Sequence, residues 1–125
     1  MTTSSPGSPR RVLAVVPDLY FASRIGAVAA AAKVAVEFVP PARAADRCRE
    51  APPALVLLDL HAEPSPQALV RALKAASPAP VIGFYSHVDA ERRRLSLEAG
   101  LDEALPRSAF VARLAAILAG AGAAR

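Results

Sequence analysis

Along most of the chain, short wholly apolar runs alternate with longer stretches in which apolar residues recur at helical spacing. The run Ala54-Leu55-Val56-Leu57-Leu58-Asp59-Leu60 surrounds a single carboxylate with aliphatic side chains, and it lies between Pro52-Pro53 and Pro64. A segment this short and apolar predicts a parallel strand covered on both faces; a helix would be longer and amphipathic. Val12-Leu13-Ala14-Val15-Val16 is a second such run, stopped by Pro17 and followed by Asp18. Both strands therefore deliver an acid to their carboxyl ends. In open α/β sheets that edge collects ligands and chemistry, which makes Asp59 and Asp18 candidate functional residues. The plainer reading of Asp59 is a partly solvated residue at a strand end.

The rest of the pattern completes an alternating fold. Apolar positions 21, 25, 28, 29 and 32 mark a first helix from Phe21, rich in Ala. Val34 to Val39 predicts a strand with Glu37 near an edge, and Pro40-Pro41 opens a short helix whose inner face holds Ala44, Ala45 and Cys48. After a loop from His61, Ser65-Pro66 starts a helix with Leu69, Ala72, Leu73 and Ala76 as its buried stripe. Val81 to Tyr85 is a fourth strand, Asp89 caps a helix closed by Gly100, and a short strand lies around Glu103-Ala104-Leu105. Ser108 is expected to cap a final helix with Phe110, Leu114, Ile117 and Leu118 on one face. Five strands alternating with five helices predict a doubly wound α/β parallel sheet with helices on both faces. The expected organisation is a disordered leader over 1–10, one domain over 11–119 and a flexible tail over 120–125.

Composition narrows the class without overturning this picture. A chain of 125 residues is a single domain of common size. Its net charge of +4 favours acidic partners without requiring them. Arg92-Arg93-Arg94 is the clustered part of that charge. Consecutive helical residues point around the axis and no aromatic platform lies nearby, so the triplet suits a solvated or partner-facing surface better than a nucleic-acid groove. Cys48 is the single cysteine, which excludes an intrachain disulfide and a cysteine metal cluster and suits a reducing cytoplasm. No apolar run reaches membrane-spanning length, and the start has no basic segment leading into an apolar one.

With these elements in place, residues Arg11 to Leu118 resemble the receiver domains of bacterial two-component response regulators, a flavodoxin-like fold with strand order 2-1-3-4-5. The resemblance rests on Leu55-Val56-Leu57-Leu58-Asp59-Leu60, on Pro80-Val81-Ile82, and on Leu97-Glu98-Ala99-Gly100-Leu101-Asp102-Glu103. It implies that Asp59 matches the phosphoacceptor and Asp18 the second member of an acidic pair that holds a divalent cation. Pro17 replaces the first member. Tyr85 stands where the family has Thr or Ser, and a phenol there is expected to crowd the phosphoryl site. Ser86 comes one residue late and should face the other way. Arg107 replaces the usual Lys, Ser108 the usual Pro, and Ala104 the aromatic whose rotation couples phosphorylation to the output surface. The loop after Asp59 lacks the usual Gly, and His61 falls where a backbone carbonyl would meet the metal.

Losses at the metal, phosphoryl and switch positions together imply a degenerate receiver, or pseudo-receiver, which binds a protein partner and needs neither phosphorylation nor a cofactor. The resemblance places this module in the cytoplasm of a bacterium, as a single-domain adaptor or part of a larger protein, with a homodimer a further option. Its expected contact surface is that of the fourth helix, fifth strand and fifth helix, through Arg92, Arg93, Arg94 and Leu95, the last exposed because Arg94 and Leu95 invert the family's order. The alternative is a working receiver phosphorylated at Asp59 with Mg²⁺. More remote is a metal-dependent hydrolase using Asp18, Asp59, His61 and Glu63 as ligands, or Ser86, His87 and Asp59 as a triad; the histidines lack zinc spacing and Ser86 lacks nucleophile-elbow glycines.

Overall fold

The computed structural model describes residues 11–86 and 89–123. The expected leader and His87 lie outside the described residues. In chain order the elements are β1 (Val12–Val15), α1 (Leu19–Ala32), β2 (Val36–Phe38), α2 (Pro41–Glu50), β3 (Leu55–Asp59), α3 (Pro66–Ala76), β4 (Val81–Tyr85), α4 (Ala90–Glu98), β5 (Glu103–Pro106) and α5 (Arg107–Ala123). All neighbouring strands are parallel, in the order β2-β1-β3-β4-β5, which is the predicted architecture. The register pairs Val15 with Leu58, Asp59 with Phe84 and Tyr85 with Pro106, so the chain leaves every central strand at one edge of the sheet.

Strand alternation divides the interior into two cores. Val12, Ala14, Leu55, Leu57 and Phe84 pack with the inner residues of α1 and α5, whereas Leu13, Val15, Val56, Leu58 and Val81 pack on the side of α2, α3 and α4. Phe84 anchors the first core. Its ring lies 4.8 Å from Phe21 and 4.6 Å from Phe110, centroid to centroid, locking the start of α1 and the start of α5 onto β4. Such ring pairs add roughly 0.5–1.5 kcal/mol each beyond burial. In the second core Gly83 brings β4 close to Leu60: a Cβ there would lie 2.8 Å from the Leu60 side chain, which is fully buried.

Several local expectations change. β2 is shorter than Val34 to Val39, because the Val34 amide donates to Ala29 O in closing α1. The buried residues of α3 are Pro66, Val70 and Leu73; Leu69 and Ala76 are only partly covered. Ser65 precedes α3 but makes no side-chain cap, whereas Asp89 does cap α4, accepting from the Arg92 amide at 3.0 Å. Ser108 is not the cap of α5. The helix begins at Arg107, directly after the β5 residue Pro106, so Ser108 lies within its first turn. At the other end α5 continues through Gly120 to Ala123 with Ala121 buried, past the start of the expected tail. No helix among the described residues is long and apolar enough to cross a membrane.

Candidate functional site

The chain leaves β1, β3, β4 and β5 at the carboxyl edge of the sheet. After β1, Pro17 turns the chain outward and Asp18 becomes the N-cap of α1, its Oδ1 accepting from the Phe21 amide at 3.1 Å. Capping by a carboxylate satisfies an otherwise orphaned helix amide. The other oxygen, Oδ2, accepts from Arg107 Nη2 at 3.3 Å. The Phe21 amide holds the Asp18 carboxyl below its ordinary range; desolvation opposes it to a lesser degree, and Arg107 adds to the lowering.

Arg107 is itself held on several sides. Its guanidinium carbon lies 4.3 Å from the centroid of the Phe21 ring, and Nη1 donates weakly to Ser86 Oγ at 3.5 Å. A planar delocalised cation suits a place between a carboxylate and an aromatic face in a way an ammonium does not. Asp18, Phe21, Ser86 and Arg107 line a cavity of about 650 Å³ together with Tyr20 and Arg24.

Asp59 ends β3 half-buried at the same edge. Its Oδ1 accepts from the His61 amide at 2.8 Å and its carbonyl from the Ala62 amide at 2.9 Å, which closes a tight turn without a glycine. Among the described residues no three His, Cys, Asp or Glu side chains are gathered so as to hold a metal ion. Asp18, Asp59 and His61, and with them Glu63, thus share an edge without forming such a cluster. Asp18 faces Arg107 instead.

Tyr85 and Ser86 face opposite sides of the sheet, as strand alternation requires. Because Phe84 faces α1 and α5, Tyr85 turns to the other core, on the same face as Ala104, and lines a cavity of about 240 Å³ with Asp89, Arg93 and Pro106. Ser86 comes back to the α1 and α5 side and meets Arg107.

The arginine triplet also separates by role. Arg92 turns inward: Nη1 donates to Leu60 O at 3.0 Å and Glu63 O at 3.2 Å, and Nε to Asp89 at 3.1 Å. It therefore staples the loop that follows Asp59 to the start of α4. The Arg92 amide and guanidinium hold the Asp89 carboxyl below its ordinary range, with His61 a lesser contributor. Arg94 pairs along the helix surface with Glu91 and Glu98. Arg93 is exposed, while Leu95 is half-buried beside Pro64, Pro66 and Arg92 rather than projecting freely.

Among the described residues the most exposed large apolar ones are Leu19 at 84% and Tyr20 at 74%, on the first turn of α1 beside Asp18. Starting the helix at Phe21 hid them. The signal was present in the phase: with Phe21, Ile25 and Ala29 inward, residues 19 and 20 must point outward.

No family model matches the chain, and no curated protein matches it by sequence. Solved structures do match. A CheY-like response regulator receiver domain protein from Methanospirillum hungatei superposes with a TM-score of 0.75 at 16% identity, over 90% of this chain and 95% of that one. The receiver domain of NtrX from Brucella abortus gives 0.75 at 18% identity, over 91% and 99%. A response regulator protein from Burkholderia pseudomallei, solved with a phosphorylated aspartic acid, a calcium ion and citrate, gives 0.75 at 18% over 87% and 66%. The chain has the fold of these receiver domains.

Proposed function

We propose that the chain is a receiver-like signalling module that works by binding a protein partner and does not depend on phosphoryl transfer to Asp59. The observation that carries this reading is the engagement of Asp18 through both oxygens, one by the helix it caps and the other by Arg107. Pro17 brings no second carboxylate. A strongly hydrated divalent cation would have to displace a guanidinium from the one acid left beside Asp59, so its affinity is low. Without that cation, and with Arg107 engaged by Asp18, charge developing on a transferring phosphoryl group lacks its compensation. Each lost contact of this kind costs on the order of 2–4 kcal/mol in the transition state.

The partner surface in this reading is the outer face of α4 with β5 and α5, presented by Arg93, Arg94 and Leu95, while Arg92 sets the adjoining loop from inside. The resemblance to receiver domains supports a bacterial, cytoplasmic signalling partner. The test is intact-mass analysis after acetyl phosphate and Mg²⁺, comparing wild type with a Pro17→Asp, Arg107→Lys variant and with Asp59→Asn. Little or no phosphoryl gain in the wild type is expected. A rapid gain that Asp59→Asn abolishes would establish the working-receiver alternative instead.

A further inference from the structure

We infer that the cavity between the first turns of α1 and α5 is a binding site for a small aromatic monoanion, an activity separate from phosphoryl chemistry at Asp59. Its volume of about 650 Å³ is in the range that holds a small organic ligand, roughly 300–1,000 Å³. Much of the lining surface is apolar, supplied by Tyr20, Phe21, Pro106 and Val111. The polar lining comes from separate elements: Asp18 and Arg24 at α1, Ser86 just after β4, and Arg107 and Ser108 at the start of α5.

Charge decides the ligand class. The lining holds one carboxylate, Asp18, and two guanidiniums, Arg24 and Arg107. Asp18 and Arg107 neutralise each other at 3.3 Å, which leaves Arg24, exposed and without an ion-pair partner among the described residues, as the uncompensated charge. One net positive charge beside an apolar floor matches a single anionic group on an aromatic body. Arg107 adds geometry to charge. One neighbour of its guanidinium is the Phe21 ring at 4.3 Å, and 35% of its side chain remains accessible, so a ligand ring can stack on the same planar cation. The anion would then reach Arg24, and the ring would cover Tyr20, a large apolar residue left 74% exposed.

The probe for this site is anilinonaphthalene sulfonate, an aromatic monoanion that fluoresces on binding, with the uncharged phenylnaphthylamine as its control. The expected result is a saturable one-to-one titration with amide NMR shifts centred on Phe21, Ser108 and Val111. Arg24→Glu should weaken the anionic probe by about tenfold or more, the worth of one charge-assisted contact, and leave the neutral probe unchanged. Ser108→Trp, at an exposed position, adds bulk on the α5 wall of the site and should weaken both probes while the fold stays intact by circular dichroism. Binding that leaves these amides unmoved, or an anionic titration indifferent to Arg24→Glu, would overturn the assignment. So would equal affinity for the two probes.

Discussion

Arg107 and Asp18 are 89 positions apart in the chain, yet their side chains meet at 3.3 Å, joining the first residue of α5 to the cap of α1. The same carboxylate also holds the Phe21 amide, and Phe21 in turn lies under the Arg107 guanidinium. Helix start, ring and cation therefore form one closed set.

Arg107→Ala removes the side-chain partner of the Asp18 carboxylate and leaves the backbone cap. The Asp18 pKa should rise toward its ordinary range without reaching it, because the Phe21 amide lowers it most. The sign for stability follows: a depressed folded-state pKa stabilises above the unfolded pKa, and that contribution fades as pH falls through the folded value. The wild type should therefore lose more stability than Arg107→Ala on acidification below the ordinary carboxylate range. Side-chain carboxyl NMR against pH measures the shift directly; an unchanged Asp18 titration would remove Arg107 from the site.

Arg92 and Arg93 are neighbours with opposite consequences. Arg92→Ala frees the carbonyls of Leu60 and Glu63 and one side of Asp89, and should destabilise the domain by about 1–2 kcal/mol, the low end for charged hydrogen bonds because the site is partly solvated. Arg93→Ala changes an exposed side chain and should stay within about 0.5 kcal/mol of wild type. Urea unfolding separates the two. Amide exchange should quicken over residues 60–65 in Arg92→Ala alone, and equal behaviour of both variants would refute the staple.

What sequence could and could not convey divides along the range of the interactions. The central strands and the inner faces of α1 and α5 were legible because each is an apolar run or a helical stripe that has one way to be buried. Asp89 was legible as a cap because the Arg92 amide it binds is three residues away. Ser108 was not, since its role depends on how abruptly β5 turns into α5. The arginine triplet looks uniform until α4 is set against the loop after Asp59, and Asp18 declares its partner only once two distant helix starts are brought together. The opposite facing of Tyr85 and Ser86 was legible, because alternation along a strand separates neighbours whatever the partners; which helices each would meet was not, until Phe84 was set against α1 and α5.

Glu37, on the edge strand β2, ties that strand to α2 and to the residue that leads into β1, accepting from Arg47 at 2.6 Å and from Arg11 at 2.9 Å. Arg47, and then Arg11, holds its carboxyl below the ordinary range, against a desolvation effect that lies between them in size. Its contribution to stability is thus present above the unfolded pKa and is lost as pH falls through the lowered folded value. Glu37→Gln keeps the shape and removes the charge. It should cost about 1 kcal/mol at neutral pH after solvent screening, with the difference from wild type shrinking in acid. Chemical denaturation at two pH values tests this; a difference that grows on acidification would have the wrong sign.

Tyr85 and Ala104 occupy the same face of adjacent strands, diagonal to one another across the pairs of Gly83 with Ala104 and Tyr85 with Pro106. Diagonal neighbours are within reach of an aromatic side chain, so the phenol from β4 can occupy space that a larger residue at position 104 would need. Tyr85→Thr should cost about 1–2 kcal/mol, less than a fully buried aromatic because Tyr85 is only half-buried. Ala104→Tyr alone should cost about 1–3 kcal/mol by overpacking beside the phenol. In the double variant the new ring enters the space the old one vacates, so the two losses should fall short of their sum by at least about 1 kcal/mol. A urea-based double-mutant cycle reads that coupling. Losses that add within about 0.5 kcal/mol would mean that the two side chains do not compete for one volume.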